Sequence, residues 1–328
     1  MDPIPTHRAA TGRSRVLRIA LLACWLGTVL IAWLAINVGM DDPAGADQTF
    51  DGLWPIDHPY WFNPLISFVA IIPAVVLGWQ VARDFGARSY IGSAGIAFAA
   101  GICAWSIGNL IWFWYNTCPS WSVLGCDAAL EAPYPSGADV GFLLLLPFWG
   151  FAMIQLARVV ATSPRDLARL AWIPLVAFAV TGYITLPAFE VFGVTIPNRS
   201  ALFDHGYTAV QEAFSIAYLV CDAALLSLAL IVLVRARSAA GGWLFKPMLL
   251  ASTALAIQYV ADLTFDVRVS AGTSFAGDIA DLLYFFALFT MVCALHALRS
   301  AHERMEASML AAMGELEHAA PDGVGVNA

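Results

Sequence analysis

The stretch "APYPSGADVGFLLLLPFWGF", residues 132–151, sets a carboxylate, Asp139, at the start of an apolar run that continues to residue 158. A run of this length can cross about 30 Å of hydrocarbon as a helix that satisfies its own backbone hydrogen bonds. Working outward, similar runs lie at 17–36, 62–82, 90–114, 169–187, 211–234, 247–265 and 279–298. The 328-residue chain is 60% hydrophobic and 12% charged, with a mean hydropathy of +0.74, far too apolar for a soluble domain. The expected fold is an all-α polytopic membrane protein with eight transmembrane helices. Pro174, Pro187 and Asp262 interrupt the runs at 169–187 and 247–265. The first run is expected to stay in the chain as a span, because it is too long for a signal peptide and no small-residue cleavage site follows it.

Charge fixes the expected orientation. Of the 16 basic residues, 14 fall on the side of the N-terminus: Arg8, Arg13, Arg15, Arg18, Arg83, Arg88, Arg158, Arg165, Arg169, Arg235, Arg237, Lys246, Arg299 and Arg304. Only Arg199 and Arg268 fall on the other side, while Asp41, Asp42, Asp47, Asp51, Asp57, Asp127, Glu131, Glu190 and Asp204 do. The excess of arginine places both termini in the cytoplasm of a bacterial inner membrane. No basic face exists to attract nucleic acid. The expected divisions are a basic arm at 1–16, four-helix units at 17–158 and 159–298, and a tail helix with a disordered end at 299–328.

The two units echo each other. "DHPY" (57–60) precedes the second run and "DHGY" (204–207) the sixth; "GNLIW" (108–112) ends the third and "ADLTF" (261–265) the seventh. "PSGADVGF" (135–142) opens the fourth and "GDIADLLY" (277–284) the eighth. Three pairs in one order, four helices apart, suggest duplication of a four-helix unit. An even number of spans per copy gives both copies the same orientation, so the repeats are expected to be parallel.

The segments "WSIGNLIW", "YPSGADVGFL", "AYLVCDAALL" (217–226), "VADLTF" and "IADLLYF" together resemble the multi-helix membrane sensor region of bacterial signalling proteins. The resemblance runs over most of 90–298, and its most specific piece is the segment around Pro135, Ser136, Ala138 and Asp139. It implies a sensor of the kind that precedes a diguanylate cyclase, cyclic-di-GMP phosphodiesterase or histidine kinase domain. This chain departs from the pattern at Asn109, where an acid is common. No output domain is expected in 299–328, so no cyclase or kinase activity follows.

The polar residues carry the functional question. Ser136 and Asp139 have capping-box spacing at the outer start of the fourth helix, and Asp278 and Asp281 repeat it at the eighth. Asp222 falls about 16 Å into its helix at 1.5 Å per residue. A carboxylate there costs on the order of 3 kcal/mol, so it should face the bundle interior. It reads either as a buried acid bonded to a neighbouring helix or as a ligand- or proton-coupling group. Asn109 and Asp262 hold matching places on the third and seventh helices, with Asp266 and Gln258 one turn to either side of Asp262. Trp105, Trp112, Tyr259 and Tyr284 crowd the same outer half, as an interfacial aromatic belt would. The concentration of polar groups there in both units predicts an outward-opening cavity lined by Asn109, Trp112, Asp139, Asp222, Gln258, Asp262, Asp281 and Tyr284.

Other chemistry is thinly represented. His58 and His205, each beside an aspartate, offer one reading as an outer-side divalent metal site and another as exposed neighbours of helix caps. Cys118 and Cys126 share an outer loop and are expected to form a disulfide. Cys24, Cys103, Cys221 and Cys293 lie within spans and read as inert packing residues. No catalytic motif is readable, so no catalytic residue is assigned and an enzyme is not the favoured reading. The only lysine, Lys246, lies at an inner edge, which excludes a retinal Schiff base; His296 is the only histidine within a span, which excludes bis-histidine haem. No cofactor is expected beyond that metal. The leading expectation is a membrane sensor that binds a small ligand and relays through its C-terminal helix to a cytoplasmic signalling protein. Met305, Met309, Met313 and Leu316 form an apolar stripe on that helix, suited to a partner or a second copy. A small-solute or proton-coupled transporter is the alternative, and an intramembrane metalloenzyme the third.

Overall fold

The computed structural model describes residues 7–37, 62–117, 135–160, 163–185, 189–191, 194–196, 208–238, 243–270, 274 and 277–319. Seven helices are long and apolar enough to cross a membrane. They are α1 (His7–Asn37), α2 (Phe62–Phe85), α3 (Tyr90–Thr117), α4 (Gly137–Val159), α7 (Ala209–Ser238), α8 (Phe245–Ser270) and α9 (Ile279–Ala319). Between α4 and α7 lie two shorter helices, α5 (Pro164–Arg169) and α6 (Trp172–Thr185), and a hairpin of β1 (Phe189–Val191) and β2 (Val194–Ile196). The strands pair antiparallel with Phe189 opposite Ile196.

The fifth run, 169–187, therefore forms a short helix rather than a full-length one. At 1.5 Å per residue, the 14 residues of α6 reach only about 21 Å. Its start is set by a turn at Leu170–Ala171, where the Ile173 amide bonds back to the Leu170 carbonyl at 3.0 Å. Pro174 then falls in the first turn of α6, where a missing amide proton leaves no intrahelical bond unmade.

Six helices close a ring in the order α2, α3, α4, α7, α8, α9 and back to α2, with α1 against α2 and α6 against α7. The α3–α4 seam is the tightest approach relevant to the site. A Cβ on Gly141 would stand 2.5 Å from the Gly108 amide nitrogen and 2.6 Å from the Ala104 carbonyl oxygen. Small residues let helix backbones meet this closely, which matters in lipid, where apolar burial gives helices little reason to associate. The core below it is built of Phe98, Leu145, Trp149, Met153, Leu156, Phe285, Leu288 and Met291, all buried. Ile31, Phe68, Ile72, Trp79 and Leu175 point outward and are exposed, as a lipid-facing surface requires.

Side-chain contacts fix the direction of the helices. The Asn37 amide, at the end of α1, donates to the Gly277 carbonyl just before α9, whereas Arg18 near the start of α1 pairs with Glu303 far along α9 at 2.8 Å. Tyr218 in the early part of α7 meets Asp139 in the first turn of α4, and further along both helices Leu225 lies against Gly150, so these two helices run parallel. The described beginning and end of the chain thus lie at one end of the bundle. Two of the four described cysteines depart from the packing role expected of them, because Cys24 and Cys221 are exposed on the outer surface of the bundle. Cys118 and Cys126 lie outside the described residues.

Candidate functional site

The site begins with two helix starts. At α4, Ser136 is the N-cap: its hydroxyl accepts from the Ala138 amide at 3.1 Å, and its own amide donates to Asp139 Oδ2 at 2.5 Å. At α9, Asp278 Oδ1 accepts from the amides of Ala280 (2.7 Å) and Asp281 (3.3 Å). Asp281 Oδ2 reaches back to the Gly277 amide at 2.6 Å. Gly277 has φ +86°, a backbone conformation that favours glycine, and this places its amide under the Asp281 carboxylate. α4 therefore has the full capping box expected from the sequence, whereas at α9 Asp278 caps as expected but Asp281 returns to the Gly277 amide. Asp278 Oδ2 also pairs with Arg268 Nε at 2.7 Å, which ties the end of α8 to the start of α9.

Cross-helix bonds then draw the interior together. Tyr218 of α7 donates its hydroxyl to Asp139 Oδ1 at 2.9 Å. Tyr284 of α9 donates to Asp262 Oδ1 at 2.6 Å, and Gln258 Nε2 donates to Asp262 Oδ2 at 3.0 Å. Asn109 donates to the Asn63 carbonyl (3.0 Å) and to Ser67 Oγ (3.1 Å), locking α3 to α2. Ser215 and Asp266, at 3.4 Å, make a similar link between α7 and α8. Trp105 packs against Tyr284 and Phe142 with ring centres 5.5 and 5.6 Å away.

These side chains surround a cavity with about 70 Å³ of room for water-sized molecules, enough for a few waters or a ligand of a few heavy atoms. Asn109, Trp112, Asp139, Gln258, Asp262, Asp281 and Tyr284 all line it. Asp222 does not. It lies one turn beyond Tyr218 on α7, 1% exposed, where its carboxyl shares a hydrogen bond with that of Asp262 and has Asp266 as a second acidic neighbour. The sequence-based set also missed part of the wall: Trp105, Phe142, Leu145, Leu146, Tyr218, Phe265 and Asp266. Tyr218 was detectable in principle, since it and Ser215 share a helical face with Asp222.

Four carboxylates, Asp139, Asp262, Asp266 and Asp281, line the cavity, and no basic side chain does. A second cavity of about 450 Å³ lies between α1, α2 and α9 toward the opposite end, with walls that are aliphatic and aromatic apart from Arg18, Gln80 and His296. Among the described residues no group of three or more histidine, cysteine or acidic side chains could hold a metal ion. His58 and His205, the residues considered for a metal, lie outside the described residues. Trp112 and Tyr284 thus belong to an acidic, aromatic chamber shared by α3, α4, α7, α8 and α9. No known family model, curated protein or solved structure matches this chain, so the geometry of the chamber carries the functional reading.

Proposed function

We propose that the chain is a receptor-type signalling module of a bacterial inner membrane. A small ligand enters the acidic, aromatic cavity from the periplasmic side, and α9 reports its presence to a cytoplasmic partner. The observation that carries this reading is the path of α9. Its first turns supply Asp281 and Tyr284 to the cavity, and the same unbroken helix continues for 41 residues to Ala319. At 1.5 Å per residue that is about 61 Å, roughly twice the hydrocarbon thickness. A rod of this kind couples the two ends without an intermediate hinge. At its far end Met309, Leu310 and Met313 are exposed, an apolar patch suited to a signalling partner or to a second copy of the chain.

The ring order supports the parallel-repeat reading. Exchanging α2, α3, α4 with α7, α8, α9 leaves the ring unchanged, with the α4–α7 and α9–α2 seams as equivalents and α1 and α6 as matching outriggers. In this reading α6, with the segments flanking it, carries the chain back across the bilayer from α4 to α7. The strong arginine bias then puts both termini in the cytoplasm. For binding to signal, the ligand must favour one packing of the two halves over another.

The test is a pair of spin labels, one on the exposed tail at Met309→Cys and one on α1 at Leu34→Cys, in a background lacking the native cysteines. Reconstituted protein is titrated with small-molecule pools, and the distance distribution is read with and without Asp262→Asn. A ligand-dependent shift that Asp262→Asn abolishes supports the proposal. A tail whose distance never changes, in protein that binds ligand in the cavity, refutes it.

Asp222, buried in the middle of its span, gives a second reading, a proton-coupled transporter, its one specific support. Transport also needs a route to the other face, and Trp149, Met153, Leu156 and Met291 fill the bundle below the cavity. Solute accumulation in sealed vesicles, lost in Asp222→Asn, would favour transport.

A further inference from the structure

Resting on the receptor reading, we propose that the cavity takes a small cation of the ammonium class, either ammonium itself or a short primary amine, on its α7–α8 wall. The argument is an inventory of what each polar atom lacks. Asp139 and Asp262 have a hydrogen-bond donor on both oxygens, and Asp281 is held by the Gly277 amide. Among the described residues, the buried atoms of the cavity wall left without partners are Asp266 Oδ2 and Gln258 Oε1, both on α8. Both are acceptors, so the missing species must donate hydrogen bonds.

Gln258 is evidence independent of the acids. It is neutral, 4% exposed, lines the cavity, and its amide nitrogen is committed to Asp262. Its oxygen therefore cannot exchange places with the nitrogen without breaking that bond, and it stays presented without a donor. A neutral ligand rich in acceptors leaves these oxygens unpaired, and an anion meets the acidic wall. Divalent metal is disfavoured because no three ligating side chains are grouped among the described residues. An ammonium group supplies several N–H donors and positive charge in one small volume. The Tyr284 ring has Trp105 and Phe265 as neighbours, with ring centres 5.5 and 6.4 Å away, and aromatic faces attract a cation. About 70 Å³ of room limits the ligand to a few heavy atoms.

The test uses the full chain purified in detergent micelles, with isothermal titration calorimetry and intrinsic tryptophan fluorescence. Ammonium, methylammonium, sodium, potassium and tetramethylammonium chlorides are compared at constant ionic strength. The expected result is saturable binding of ammonium or methylammonium, at least tenfold tighter than the other three cations. Asp266→Asn and Gln258→Leu, each checked for wild-type thermal unfolding, should each weaken it at least tenfold. Using two variants keeps the test intact if one fails to fold. No saturable signal overturns the proposal, as does equal binding of sodium, potassium or tetramethylammonium, or undiminished binding by both variants. Failure here is distinguishable from failure of the receptor reading. A neutral ligand that moves the tail label removes the cation and leaves the receptor, whereas amine binding with a motionless tail does the reverse.

Discussion

Replacing Gly141 with alanine should separate α3 from α4 and loosen the cavity that both helices line. The new Cβ would meet the Gly108 amide nitrogen at 2.5 Å and the Ala104 carbonyl oxygen and Gly108 Cα at 2.6 Å. These are backbone atoms, so no rotamer change can make room. Ordinary carbon contacts lie near 3.5–4.0 Å, so the helices must part by about 1 Å along this seam. Forcing a methyl into a packed interior typically costs 1–3 kcal/mol, and the upper part of that range applies when both neighbours are main chain, roughly a 30- to 150-fold change in the unfolding equilibrium. Gly137→Ala is the matched control one turn earlier, where the nearest atom to the added Cβ is the Tyr115 hydroxyl at 3.5 Å. Equilibrium unfolding in mixed detergent micelles measures both variants. The reasoning predicts a clear loss for Gly141→Ala and about ±0.5 kcal/mol for Gly137→Ala. Equal stability of the two proteins would refute a main-chain contact at Gly108–Gly141.

Further measurements bear on the caps, the interior bonds and the exposed cysteines. Ser136→Ala removes the hydroxyl that accepts from Ala138 and should cost about 1 kcal/mol in the same assay; no loss would mean that water replaces the cap. Tyr284→Phe strips Asp262 of the donor at 2.6 Å and should cost about 1–3 kcal/mol through the unpaired buried acceptor. Tyr183→Phe, on an exposed tyrosine of α6, should change stability by no more than about 0.5 kcal/mol. Cys24 and Cys221 face outward, so in proteoliposomes a lipid-soluble maleimide should label them faster than the half-buried Cys103 and Cys293. A reversed order of labelling would contradict the helix rotations.

What the sequence made legible was local. The spans follow from run length, because a helix in hydrocarbon must close its own hydrogen bonds whatever its neighbours are. The caps at Ser136–Asp139 and Asp278–Asp281 follow from a three-residue spacing within one turn. The rotation of each helix was harder to read, since a span that is apolar on every face carries no periodic signal for its inner side. Asp222 was placed in the cavity by depth alone, yet its face turns it behind the wall, while Tyr218, one turn earlier, points in. Phe142 and Phe265 carry no sequence signal for the cavity for the same reason. Over 169–187 the structure describes the 14-residue α6 in place of one full-length helix. Composition there is apolar enough, but the Leu170–Ala171 turn delays the helix start to Trp172.

The clamp at the far end of α9 bears directly on how a small cavity could be heard at a distance. Where α9 leaves the bundle, Arg18 of α1 pairs with Glu303, and Arg299 pairs with Asp84 of α2 at 3.4 Å and with the Gln80 side chain. Phe85 packs on His302 with ring centres 4.7 Å apart. These contacts hold α9 against α1 and α2, the helices of the other half, whereas the cavity holds it against α8 through Tyr284 and Asp262. A shift of α9 relative to one half must therefore be resisted or followed by the other. The ionic clamp includes partly exposed side chains, so each pair contributes modestly, on the order of 1 kcal/mol or less. That is small enough for differential ligand binding to overcome, since a tenfold preference for one packing is worth about 1.4 kcal/mol. Arg18→Gln, which removes one pair while leaving the cavity intact, should let the tail label sample a broader range of distances before any ligand is added. An unchanged distribution in that variant would mean that the Arg299–Asp84 pair and the packing on Phe85 fix the helix without Arg18.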